Sequence, residues 1–166
     1  MNRDILEQLY VRYHRPAFLY TLSLCKNREI AEDIVSDAFV KAFLSLSDDR
    51  ISFQYWLLRV CKNLWIDYLR RQKRTAENSE AALHNAADHE TPEQNILRDE
   101  RLSALYRCIR LMSAEDRELL TLHYFSNLPL KEIALMIHAS PGSVKTRLFR
   151  ARQNLKKLME GNGYDI

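Results

Sequence analysis

Glycine is almost missing from this chain of 166 residues, occurring only at Gly142, Gly161 and Gly163. No stretch alternates strictly between apolar and polar residues between turn signals, so a fold built on strands and tight hairpins is excluded. Cysteine is equally scarce. Cys25, Cys61 and Cys108 stand far apart, with no paired spacing and no histidine placed to complete a metal site. They read as small buried hydrophobes of a reducing compartment. No uncharged apolar run is long enough to cross a bilayer. Asn2, Arg3 and Asp4 lead straight into an amphipathic pattern, unlike a signal peptide. A soluble, cytoplasmic protein without membrane insertion is expected. The net charge of +3 is too small to name a partner, so its distribution matters more.

What remains is helical periodicity, and the expected fold class is all-α. A first helix from about Arg3 to about Leu24 is expected to bury Ile5, Leu6, Leu9, Tyr10, Tyr13, Ala17 and Phe18, with Pro16 kinking or breaking it. Asn27 can cap a second helix. That helix carries Ile30, Ile34, Ala38, Ala42 and Leu46 in a four-residue stripe with Val35, Phe39 and Phe43 beside it. After the polar break Ser47, Asp48, Asp49, Arg50, a third helix starts near Ser52. Phe53, Trp56, Leu57, Val60, Cys61 and Leu64 are expected inside. Tyr55, Arg59, Lys62, Asn63, Ile66 and Arg70 project outward, and the helix ends in the basic run Arg70, Arg71, Lys73, Arg74. Aromatic rings interleaved with cations and an asparagine suit unpaired nucleotides, where stacking is worth about 1–3 kcal/mol per base. A solvated basic face, with cations favouring the helix C-terminal dipole, is the alternative.

Residues 75–91 carry acids without lysine or arginine and few large apolar side chains, as expected of a flexible or weakly helical linker. Its acidity would suit a basic surface, in mimicry of nucleic acid. His84, Asp88 and His89 lie close together within it, but nothing apolar is nearby to support a metal site. No metal or cofactor is expected. Thr91, Pro92 and Gln94 then signal a helix start, and Ser113 with Asp116 another. The chain divides into 1–74, the linker 75–91 and 92–166.

The last segment is the most explicit. From Leu128 it reads LPLKEIALMIHASPGSVKTRLFRARQNLKKLM, a short helix, a turn through His138, Ala139 and Ser140, and a longer basic helix. This is the form of a helix-turn-helix DNA reader. Val144, Leu148, Ala151, Leu155 and Leu158 recur at helical spacing and must face Ile133, Ala134 and Ile137. Lys145, Thr146, Phe149, Arg150 and Gln153 then share the opposite face, flanked by Arg147, Arg152, Lys156 and Lys157. Ser140 can cap this helix, Pro141 fits its first position, and Gly142 leaves room for another backbone.

Three segments in this order carry a resemblance. AEDIVSDAFVKAF (Ala31–Phe43), FQYWLLRVCKNLWIDYLRRQKR (Phe53–Arg74) and LMSAEDRELLTLHYFSNLPLKEIALMIHASPGSVKTRLFRARQNL (Leu111–Leu155) are similar to the core-binding, minus-10 and minus-35 segments of bacterial RNA polymerase sigma factors of the extracytoplasmic function group, within the sigma-70 family. The resemblance implies two helical domains and no enzymatic activity. It implies docking on core polymerase, at the beta-prime clamp helices and the beta flap, with Asp33, Asp37 and Phe39 matching the clamp-helix positions. Asn63 matches a position near a flipped-base pocket, and Tyr55, Trp56, Arg59, Lys62 and Arg70 belong with it to the surface that melts promoter DNA. Ser143, Lys145, Thr146, Arg147, Phe149 and Arg150 match the segment that enters the major groove at the minus-35 element. An anti-sigma factor as inhibitor is likewise implied. The chain departs from the family pattern in a short, glycine-free segment between Phe43 and Phe53, in Ser36 where glutamine is common, and in Pro129 where serine usually caps. A stand-alone helix-turn-helix regulator, its N-terminal part dimerising or sensing a ligand, and a hydrolase with a metal at His84, Asp88 and His89 are the other readings.

Overall fold

A computed structural model describes residues 3–45, 52–78 and 100–163, all helices and short turns without a strand among them. Contacts divide the chain into two compact units, Met1–Thr91 and Pro92–Ile166. The first holds α1 (Arg3–Cys25), α2 (Arg28–Ser45) and α3 (Phe53–Asn78), each packed on the other two. The second holds α4 (Glu100–Arg110), α5 (Ala114–Tyr124), α6 (Leu130–Met136) and α7 (Pro141–Gly161), with α7 against the other three.

In the first unit, the break between α1 and α2 is made by Lys26, whose backbone is left-handed (φ 53°) and whose N–H donates to the Leu22 carbonyl at 2.8 Å. Asn27 then starts α2, its Oδ1 accepting the Ile30 N–H at 3.1 Å. Ser52 does the same for α3, accepting the Tyr55 N–H at 3.2 Å. These bonds satisfy donors that the first turn of a helix cannot pair internally. The core is formed by Leu19, Tyr20, Leu22, Val35, Leu57, Leu58 and Cys61, and burying each leucine contributes about 1.5–3 kcal/mol. The Cys61 thiol is pushed up to about 12 by that burial.

Several expectations need correction. Pro16 does not end α1, which is helical throughout. Ile5 and Tyr10 are not buried: α1 is covered at Ala17–Ser23, whereas Ile5 and Tyr10 are about half exposed and Val11 more so. Phe43 also lies outside the buried stripe of α2, which runs Ala31, Ile34, Val35, Ala38, Phe39, Ala42. The third helix continues past Arg74 to Asn78, so the basic run is not its last turn. A dipole effect confined to that turn therefore does not account for it. The expected helix start at Thr91, Pro92 and Gln94, Leu46 and the metal candidates His84, Asp88 and His89 lie outside the described residues.

In the second unit both serine caps form. Ser113 Oγ accepts from Asp116 N–H at 3.3 Å, and Ser140 Oγ from Ser143 N–H at 3.2 Å, with Pro141 at the first helical position. Pro129 occupies the cap position of α6 rather than its first turn and offers no side-chain bond. The turn between α6 and α7 is closed by His138, in a left-handed conformation (φ 55°), and by Ala139 N–H donating to the Ala134 carbonyl at 3.0 Å. This six-to-one bond with a left-handed residue is the geometry that terminates helices, here without glycine. Arg117, nearly buried in α5, donates to the Arg110 carbonyl at 3.5 Å, near the C-terminal end of α4.

Candidate nucleic-acid interfaces

The orientation of α7 is set by what it buries. Val144, Leu148, Ala151 and Leu155 are closed off against α4, α5 and α6, where Ile133, Ala134 and Met136 are buried in turn. Leu158 and Ile137 are half-buried. The opposite face must then carry the remaining side chains, and Lys145, Thr146, Arg147, Arg150 and Gln153 are all exposed. Phe149 stands among them with 62% of its surface open, a large apolar ring left mostly in contact with water. Ser143 is half-buried, its backbone N–H taken by the Ser140 cap. The Thr146 hydroxyl donates to the Gly142 carbonyl at 3.2 Å, leaving its oxygen to accept. Among the described residues outside its own helical turn, nothing lies within 4 Å of where a Cβ would stand at Gly142, so the room expected there is open.

One cluster on this helix was invisible to pattern reading. Arg152 lies against α5, its Nε donating to the Tyr124 hydroxyl at 3.1 Å and its Nη2 lying 2.6 Å from His123 Nε2. Burial, and then the Arg152 charge, lower the His123 pKa. The fold therefore favours the neutral ring, whose contribution to stability is complete above 6.5, the ordinary value, and is lost as the pH falls from there through the lowered one. Protection of α5 and α7 amides from hydrogen exchange is expected to drop as the pH falls below 6.5. His123→Gln should flatten that dependence; an unchanged profile would mean that the ring does not titrate against the fold.

On α3, the buried side is rotated from the expected one. Tyr55 is buried at 7% exposure, together with Leu57, Leu58 and Cys61, so its assignment to an outward, DNA-facing surface is corrected. The reason is packing. Apolar residues surround this helix almost completely, and contact with α1 and α2 selects the side holding Tyr55 and Leu58. Arg59, Asn63, Asp67 and Arg70 are exposed and spaced as one stripe, with Trp56, Val60, Lys62 and Ile66 half-buried at its margins, and Leu69, Arg71, Lys73 and Arg74 are exposed as well. Trp56 stacks on Phe53 at 6.0 Å, and Trp65 on Tyr68 at 5.5 Å. Asp67 lies 3.7 Å from Arg70 and places a carboxylate within the basic stripe, a residue that reading by cations alone overlooks.

On α2, Asp33 and Asp37 are exposed four residues apart on one face. Among the described residues neither has a cation within ion-pair distance. Phe39 is not with them. It is turned inward, its ring 4.9 Å from Tyr10 and 6.3 Å from both His14 and Phe53. Its assignment to a partner-facing surface is therefore corrected: in the chain by itself it packs α1, α2 and α3 together. Burial lowers the pKa of His14 in this cluster, an effect partly offset by Glu32.

Comparison with known proteins matches this arrangement in two parts. Residues 9–75 match the family described as Sigma-70 region 2, and residues 102–155 match Sigma-70 region 4. The Bacillus subtilis RNA polymerase sigma factor YlaC is 30% identical over 162 residues, covering 95% of this chain and 94% of its own. The chain belongs to the sigma-70 family. It is also 30% identical over 167 residues to the extracytoplasmic function sigma factor SigW of Bacillus subtilis, covering 94% of this chain and 89% of that one, which places this sigma factor in that group. In fold it is similar to the sigma factor RpoE from Bartonella quintana, solved in complex with the anti-sigma factor NepR, with a TM-score of 0.72 at 23% identity over 96% of this chain and 98% of that one. A sigma factor is a specificity subunit for promoter-directed initiation, not an enzyme. Region 2 contains α2, α3 up to Thr75 and most of α1; region 4 contains α5, α6, most of α4, and α7 as far as Leu155. No described helix of this sigma factor is long and apolar enough to cross a membrane.

Proposed function

We propose that the first unit docks on core RNA polymerase through Asp33 and Asp37, opens the minus-10 element along the exposed stripe of α3, and that α7 reads the minus-35 element in the major groove. The observation that carries this reading is a pair of exposed polar faces on separate units: Arg59, Asn63, Asp67 and Arg70 on α3, and the cationic Lys145 to Arg150 on α7. One is suited to unpaired bases and the other to a duplex groove. Trp56 and Lys62 border the first face. Ser143, Thr146, Arg147 and Phe149 complete the second. Carboxylates on α2 complement a basic partner surface, and steer and register docking more than they tighten it. The beta-prime clamp helices are the proposed partner there, and the beta flap the partner of the second unit. The promoters are of the stress or envelope type, an anti-sigma factor restrains the protein, and it acts in the cytoplasm.

Asn63 supplies a test. Extruding a base costs a few kcal/mol of stacking, which a pocket at this position would repay. Asn63→Ala is expected to slow opening of a duplex promoter by about tenfold or more, while a promoter with a pre-melted minus-10 bubble is used almost normally. An equal defect on both templates would remove Asn63 from the melting step.

A further inference from the structure

Lys145, Phe149, Arg152 and Lys156 recur at intervals of four, three and four residues, which aligns them along one side of α7, and all four are exposed. Arg152 is tied to another helix, α5. Its Nε–H donates to Tyr124 Oη, its Nη2 approaches His123 Nε2 at 2.6 Å, and its guanidinium carbon lies 5.8 Å from the centre of the Tyr124 ring. His123 and Tyr124 are themselves packed edge to face, ring centres 4.9 Å apart. A neutral His123 accepts one Nη2 hydrogen, and Arg152 is the charged group whose field reaches it from the helices packed on α5. Of the five N–H bonds of the guanidinium, two are thus committed on the edge turned to α5. Of the three that remain, one on Nη1 and one on Nη2 form the terminal edge, a fork matched to two oxygens of a phosphate.

The place of this fork matters as much as its shape. Arg152 is flanked on the helix by Leu148 and Leu155, both buried, so it sits at the margin of the outward face rather than at its centre. A helix lying in a groove presents its centre to base edges and its margins to the sugar-phosphate walls. An arginine already held in one rotamer by α5 loses less freedom on binding than a free one. Resting on the reading of α7 as the duplex reader, we infer that Arg152, braced by His123 and Tyr124, grips a DNA backbone phosphate and so positions the recognition helix in the groove.

The test is the salt dependence of promoter-duplex binding by the full chain assembled with core polymerase, on a matched and an altered minus-35 sequence. Arg152→Gln is expected to weaken binding by about tenfold on both sequences and to make the slope of log affinity against log salt shallower by about 0.9, one phosphate contact. Arg152→Lys keeps the charge and should restore the slope. Tyr124→Phe should leave the slope unchanged and lose roughly two- to tenfold in affinity, the value of one hydrogen bond that holds the arginine in place. An unchanged slope for Arg152→Gln, with lowered hydrogen-exchange protection of α5, would reduce Arg152 to a staple between helices and overturn the inference. A loss confined to the matched sequence would overturn it too, by making Arg152 a base reader. If Arg150→Ala weakens duplex binding while Arg152→Gln does not, this inference alone fails. If neither has an effect, the reading of α7 itself is wrong.

Discussion

Replacing Arg150 by alanine is expected to lower initiation from promoters that depend on a minus-35 element by about ten- to a hundredfold, with affinity for core polymerase unchanged. The magnitude follows from the roughly 1–3 kcal/mol of discrimination that an arginine bonded to a guanine edge provides. The selectivity follows from position. Arg150 lies on the face opposite Val144, Leu148, Ala151 and Leu155, and it is exposed, so its removal opens no cavity in the second unit. Surface substitutions of this kind change stability by only about 0.5 kcal/mol. The loss should therefore appear in transcription assays and in duplex binding by the assembled complex, and not in unfolding. An equal loss of core binding would contradict the assignment.

The second large effect is expected at α2. Changing Asp33 and Asp37 together to lysine should weaken assembly with core polymerase by about a hundredfold or more, because two carboxylates facing a basic surface would become two cations, and like-charge juxtaposition costs several kcal/mol. Both side chains are exposed and neither makes an ion pair among the described residues, so the fold of the first unit should survive. Phe39 provides the contrast. Phe39→Ala would remove a ring seated among Tyr10, His14 and Phe53 and should lower stability by about 3–5 kcal/mol, so any binding defect would be indirect. Competition for core polymerase, read alongside thermal unfolding, separates the two. The aspartate prediction fails if the double charge reversal assembles normally.

How far the chain could be read from its residues depended on how sharply each helix divides into two faces. The helix α7 has a single apolar stripe and a Ser140–Pro141 start, so its register and its outward residues followed directly, and four of its five expected core positions are buried. The helix α3 has no such contrast. With Tyr55, Trp56, Leu57, Leu58, Val60, Leu64, Trp65 and Ile66 distributed around it, periodicity alone does not fix the buried side. The neighbouring helices do, and they take Tyr55. On α1, the pattern correctly marked apolar positions but not how far along the helix its partners reach, which left Ile5 and Tyr10 exposed. The His123, Tyr124 and Arg152 contacts span 28 and 29 residues and join two helices, a distance at which local spacing carries no signal. Family resemblance pointed to Phe39 and Tyr55 by position, whereas burial shows that both act first as core side chains. Arg59, Asn63, Asp67 and Arg70 form the stripe of α3 left exposed.

The central claim is that this sigma factor gives core RNA polymerase a promoter preference through two separate DNA-facing helices. Mixing the full chain with core polymerase and a promoter library, and mapping the transcript starts, tests it most directly. The expected result is initiation at a set of promoters sharing a minus-10 and a minus-35 element at fixed spacing, with little duplex binding by the chain alone. If core polymerase gains no promoter-dependent initiation, while the chain alone protects a palindromic duplex, the account is contradicted and a self-sufficient dimeric regulator takes its place.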